Sequence, residues 1–172
     1  MPNEDKDPIV TQSAGATLVV CIGNELIADD AVGFEVYQKL QGMELPRETR
    51  VEYSGVGGLS LLDRLTGYER FMIVVDAVQF GAPPGTIHCI SWEDLPSCCN
   101  TAISAHGIGL KETIEVGKIL CPEKLPAQIV LIGIEGQCFN QMRDFMTPET
   151  AAALSDAADA CLQQITQFQR GS

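Results

Sequence analysis

Four side chains in three separated stretches have the types and placement to do chemistry together. Asp29 and Asp30 stand side by side in GIGNELIADDAVG, Asp76 follows an apolar run in VVDAV, and His106 sits in ISAHGIGL. Two carboxylates about 4 Å apart repel by roughly 4 kcal/mol at an effective dielectric of 20, so an empty pair takes up an extra proton or a cation. Adding one imidazole to two carboxylate oxygens gives a donor set suited to a borderline divalent ion such as nickel, zinc or manganese. Such a set leaves coordination positions open, which a metal needs in order to polarise a carbonyl or activate water. Each residue also has an ordinary alternative. Asp29 or Asp30 can cap a following helix, Asp76 can cap a turn, and His106 can be a hydrogen-bonded surface histidine.

The elements that must bring them together are legible in the hydrophobic pattern. TLVVCI (17–22), FMIVV (71–75) and IVLIG (129–133) are short, rich in β-branched residues and free of polar alternation, as parallel strands covered on both faces are. RVEY (50–53) and TIHCI (86–90), the second introduced by the turn sequence GAPPG, are weaker strand signals. Between them, Val32, Val36 and Leu40 repeat at four residues, and Leu59, Leu62 and Leu65 at three. Leu110, Ile114, Gly117 and Leu120 form a third helical stripe. A last helix is marked by Thr147 as cap, Pro148 in its first turn, and Leu154, Ala158, Cys161, Ile165 and Phe168 on one face. This alternation predicts an α/β fold: one three-layer domain with an open, twisted, mostly parallel sheet and helices on both faces. The domain is expected over 17–168, with 1–16 a flexible acidic tail and 169–172 a frayed end. The first strand ends near Ile22 ahead of the paired aspartates, the strand at 71–75 ends just before Asp76, and His106 precedes a helix. Three loops thus deliver the candidates to the carboxyl rim of the sheet, where ligands collect near the switch in strand order.

Composition narrows the function. At 172 residues and 45 % hydrophobic content the chain suits one folded domain. A formal net charge of -12 opposes binding to nucleic acid or to an anionic membrane. The amino-terminal stretch has no signal-peptide pattern and no apolar run spans a bilayer, so a cytoplasmic protein is expected. Seven cysteines, none in a CxxC spacing, argue against a disulfide framework or a structural zinc site, and the adjacent Cys98 and Cys99 read as loop thiols. HExxH, GxSxG and GxxxxGK[ST] are absent. GVGGLS (55–60) lacks a full phosphate-loop spacing and reads as a tight entry into the second helical segment. His88 and Cys89, as strand neighbours, point to opposite faces and do not share a metal.

The ordered set GIGNELIADDAVG, VVDAV, APPGTI, ISAHGIGL, LIGIE and MTPE resembles the [NiFe] hydrogenase maturation endopeptidases over about residues 17 to 165. The resemblance implies a single α/β domain with a five-stranded twisted sheet. It also implies removal of a short carboxy-terminal peptide from the precursor of the hydrogenase large subunit once nickel has been inserted. That precursor is then the partner and no organic cofactor is called for. The nickel is presented by the substrate and the peptidase is of an aspartic, metal-dependent kind; apart from the resemblance, a monomer suffices and is expected. Carried over position by position, the metal-contact and catalytic set is Asp30, Asp76 and His106. Asp29 is left to serve the helix start, while Gly23 and Asn24 shape the turn. No Ser or Cys nucleophile is implied, and Cys21 inside the first strand is a poor one. Ala31 stands where Gly frequently follows the two acids, SGVGG lacks a common Thr, and Gly136 stands where Pro is usual. The variable stretch QCFNQMRDFM (137–146) is expected to face the substrate. A non-proteolytic nickel-binding maturation chaperone is the alternative, against which stands the lack of a His-rich or Cys-rich ligand store. A general metallopeptidase and a nucleotide-binding domain rank below it.

Overall fold

The apolar runs form one five-stranded sheet from β1 (Ala16–Cys21), β2 (Thr49–Tyr53), β3 (Glu69–Val78), β4 (Ile87–Ser91) and β5 (Gln128–Glu135), in the order β2-β1-β3-β5-β4. The computed structural model describes residues 16–56, 58–95, 110–142 and 144–171. The pairings β1–β2, β1–β3 and β3–β5 are parallel, and β4 runs antiparallel along the outer edge of β5. This is the three-layer, mostly parallel α/β architecture expected from the sequence. β3 runs on to Val78, past the expected end at Val75, so Asp76 lies within the strand and not just after it. Its position opposite Gly133 explains the extension, because β5 continues to pair with β3 as far as Glu135.

Alternation along the strands sorts the core into two layers. Val19, Cys21, Ile73, Val75, Ile132 and Ile134 face α1 (Val32–Gln41) and α3 (Pro148–Gly171). Leu18, Val20, Met72, Val74 and Leu131 face α2 (Leu110–Leu120) and a 3-10 helix, Gly58–Arg64. The three-residue spacing of Leu59, Leu62 and Leu65 is thus realised as a 3-10 helix, whose period is three. Its buried face is Leu61 and Leu65, with Leu59 exposed. In α2 the buried positions are Leu110, Thr113, Ile114 and Gly117, and Leu120 at the helix end is exposed, contrary to the expected stripe. α3 continues through Gly171, and the Gln169 amide donates to the Arg47 carbonyl at 2.8 Å, so the carboxy-terminal turn expected to fray is helical and tied down. The expected acidic tail up to residue 15, the Cys98 and Cys99 pair and His106 lie outside the described residues.

Strand order reverses between β1 and β3. The chain leaves β1 through α1 to β2 on one side, then returns through the 3-10 helix Gly58–Arg64 to β3 on the other. The two crossovers cover opposite faces, so the carboxyl ends of β1 and β3 diverge and leave the crevice in which open α/β sheets bind ligands.

Candidate active site

Asp30 reaches this crevice through a turn that its neighbours make obligatory. Gly23, at the end of β1, has φ 144°, and a Cβ there would stand 2.0 Å from the Asp30 carbonyl oxygen. A Cβ on Gly33 would stand 1.9 Å from the Ile22 carbonyl oxygen. Both glycines let the start of α1 press directly onto the end of β1, a contact any side chain would prevent. Asn24 completes the turn as expected. Its side-chain oxygen accepts from the Leu26 N–H at 3.0 Å, and its own N–H donates to Asp30 Oδ2 at 3.0 Å. Tyr53, at the end of β2, donates its hydroxyl to the Gly23 carbonyl at 2.7 Å, and burial pushes that phenol above its ordinary pKa.

Asp76 lies fully buried on the face shared with Val74 and Val78. Its Oδ1 accepts the N–H of Ala77 at 2.9 Å, while Oδ2 has no hydrogen-bond partner among the described residues. Desolvation, and next the negative charge of Asp30, hold its carboxyl well above the usual carboxylate range. Asp76 thus feels the charge of Asp30, and both acids are withdrawn from water. An inward-facing carboxylate oxygen without a donor is a vacant acceptor for a proton or a cation, and hard oxygen donors of this kind fit a divalent ion. Among the described residues no three His, Cys, Asp or Glu side chains gather to hold a metal, and the expected third donor, His106, lies outside them.

Asp29 does not cap the helix after it: no side-chain capping bond is made at Ala28 or at Ala31. Fully buried, it turns the other way and accepts from the N–H groups of Gln137 and Cys138, each at 2.8 Å, and from the Thr147 N–H at 2.8 Å. The Thr147 hydroxyl adds a bond at 2.9 Å. Thr147 does begin α3, since its carbonyl accepts from the Ala151 N–H at 2.9 Å, but its side chain serves Asp29. The spacing of 108 residues between Asp29 and Gln137 hid this contact from any local reading.

A second polar group also escaped notice. Glu135, buried at the end of β5, accepts from the Phe80 and Gly81 N–H groups at 3.1 and 2.7 Å and pairs with His88 Nε2 at 3.0 Å. The carboxylate closing LIGIE was its only trace in the sequence. His88 shares its face with Ile90 and stacks edge-on with Phe80 at 5.1 Å, while Cys89 points to the α3 side, so the expected separation of His88 from Cys89 is observed. Cys21 is a fully buried thiol pushed well above its ordinary value by desolvation, and Cys161 is pushed up to about 12 by the same cause, so neither supplies a thiolate nucleophile.

A doubly wound α/β domain with paired, dehydrated carboxylates at its switch point defines a class of protein with an acidic site on the carboxyl rim. A sequence profile described as Hydrogenase maturation protease matches residues 34–164. A putative hydrogenase maturation protease of Methanocaldococcus jannaschii is 32 % identical over 151 residues, covering 86 % of this chain and 95 % of that protein. The hydrogenase 2 maturation protease of Escherichia coli is 24 % identical over 151 residues, with 87 % and 90 % covered. Among solved structures, the hydrogenase maturating endopeptidase HybD of E. coli superposes with a TM-score of 0.77 at 23 % identity, covering 88 % of this chain and 93 % of that one. The [NiFe] hydrogenase maturation protease HybD of Thermococcus kodakarensis gives 0.71 at 22 %, covering 87 % and 99 %. The chain belongs to the hydrogenase maturation protease family, and its activity is that of a peptidase in hydrogenase maturation.

Proposed function

We propose that this protein is the endopeptidase that removes a carboxy-terminal peptide from the nickel-loaded precursor of a [NiFe] hydrogenase large subunit. The observation that carries the reading is the pair Asp30 and Asp76, two buried carboxylates facing each other's charge at the switch point of a hydrogenase maturation protease. In this reading Asp30, Asp76 and His106 meet the nickel that the precursor brings. The mutual repulsion of the acids is relieved when the ion arrives, so docking is favoured only for a metal-loaded substrate. Docking places the scissile peptide beside the pair, where proximity lowers the barrier and a carboxylate holds and deprotonates the attacking water. The enzyme works in the cytoplasm as a monomer, uses no organic cofactor, and has the precursor as its partner.

The test is the intact mass of nickel-loaded and nickel-free precursor after incubation with the wild-type protein and with Asp30→Ala. The expected result is loss of one defined carboxy-terminal peptide only with nickel and only with the wild type. Cleavage of the nickel-free precursor at an equal rate would remove metal recognition. An unchanged mass for a precursor that binds would overturn the peptidase reading in favour of a chaperone.

A further inference from the structure

We propose that Asp29 is a positioning residue: it fixes the connection between β5 and α3 as the surface on which the precursor is read. This rests on the proposed function and goes one step beyond it. Among its described residues, 136–142 and 144–147, the connection has no regular structure of its own beyond one isolated bridge, Ile27 to Met142. Its course is set by what it binds. The two oxygens of Asp29 accept from three of its backbone N–H groups, those of Gln137, Cys138 and Thr147, and from the Thr147 hydroxyl. In return the Asp29 N–H donates to the Cys138 carbonyl at 2.9 Å and the Ala28 N–H to the Gln141 carbonyl at 3.1 Å. A buried carboxylate collecting several donors makes charge-assisted bonds stronger than neutral ones, and no neutral side chain of the same shape accepts at both oxygens.

The consequence is a shared frame. Asp29 holds the connection, and the next residue, Asp30, faces the site, so the two adjacent acids couple the place of reaction to the place of recognition. The surface so fixed exposes three large apolar side chains, Leu26 at 57 %, Met142 at 68 % and Phe145 at 64 %, among the exposed polar residues Gln137, Asn140, Gln141 and Asp144. Single exposed apolar residues are ordinary. Here they come from the two segments that Asp29 joins, with Leu26 next to the Ile27–Met142 bridge. The occupant is a segment of the precursor lying next to its cleavage point, with apolar side chains set against Leu26, Met142 and Phe145, because the connection is bonded to the residue directly before Asp30. Gly136 belongs to the same device. The Phe139 ring lies 2.6 Å from where its Cβ would be, in the space a proline there would fill.

The experiment measures kcat and KM on the nickel-loaded precursor, and the dissociation constant of that precursor by calorimetry, for the wild type, Asp29→Asn, Met142→Ala and Phe145→Ala. Asp29→Asn should raise KM and Kd about tenfold or more while kcat changes by less than about twofold, the signature of lost uniform binding. Met142→Ala and Phe145→Ala should shift both constants in the same direction with an unchanged Tm. A fall in kcat at constant KM for Asp29→Asn would overturn the proposal, since the residue would then act on the chemistry. If Asp29→Asn does not fold, the two exposed variants decide, and wild-type KM and Kd in both would overturn it. If wild type binds the precursor without cutting it, the peptidase reading fails, while the order of the dissociation constants still judges this inference.

Discussion

Asp76 is where the site holds its electrostatic strain. Burial and the neighbouring charge of Asp30 favour the protonated form of its carboxyl, and the one bond from the Ala77 N–H, which favours the ionised form, is too little to offset them. Asp76→Asn removes the ionisable group while keeping the shape and the acceptor for the Ala77 N–H. The metal-free variant is therefore expected to have a higher Tm than the wild type at neutral pH. The same change should lower precursor cleavage by at least about a hundredfold, the usual scale for removing a positioned acid or base. A differential scanning trace beside a mass-spectrometric cleavage assay reads both. A lower Tm would show that the acid is balanced by a partner and is not strained. Asp29 is equally buried, but donors surround it. Burial alone does not make a carboxylate reactive; burial with an oxygen left without a donor does.

The junction of β1 with α1 sets how far Asp30 projects into the crevice. Helix and strand touch there through backbone, with Gly33 against the Ile22 carbonyl and Gly23 against the Asp30 carbonyl. Gly33→Ala should destabilise the protein by about 3 kcal/mol or more, because backbone on both sides of the clash cannot yield as a flexible side chain would. Urea unfolding measures this, and a change below about 1 kcal/mol would mean that the helix slides along the strand with little resistance. The 3-10 helix Gly58–Arg64 is a contrasting case. It covers the other face with Leu61 and Leu65 but leaves Leu59 exposed, so its outer positions should accept substitution freely.

The molecule as a whole carries a formal charge of -12 and buries Asp29, Asp30, Asp76 and Glu135 at its sheet rim. Among the described residues no helix is long and apolar enough to cross a membrane. The pH dependence of its metal-free stability follows from Asp76. Because its folded pKa is raised above the ordinary value of 3.8, the folded state binds more protons than the unfolded chain between the two values. Stability therefore falls as pH rises through that window and is regained on acidification towards its lower edge. The metal-free Tm should accordingly rise as pH is lowered from about 7 to about 5, and the rise should be smaller in Asp76→Asn, whose group no longer titrates. A Tm that falls over that range equally in both proteins would place the controlling groups elsewhere.

The order of strands and helices could be read before any coordinates because covered parallel strands must be continuously apolar and helices must show an apolar stripe. TLVVCI, FMIVV and IVLIG, and the stripe of the last helix, meet those demands locally. Asp76 was legible because it directly follows such a run, and the pair Asp29 and Asp30 because it lies in the loop after another, both near the carboxyl rim where ligands collect. The end of β3 was misjudged because strand length depends on a partner, and β5 pairs with it beyond Val75. Leu120 was misplaced because periodicity marks a helix face but not how far the sheet extends beneath it. Only the family resemblance separated Asp29 from Asp30, and what Asp29 itself binds could not be read at all. In sequence they are two equal carboxylates, and only folding brings Gln137, Cys138 and Thr147 to the first while leaving Asp76 to the second. Residue types and periods are local properties written along the chain, whereas a buried carboxylate's role depends on which donors distant segments bring within about 3 Å of it.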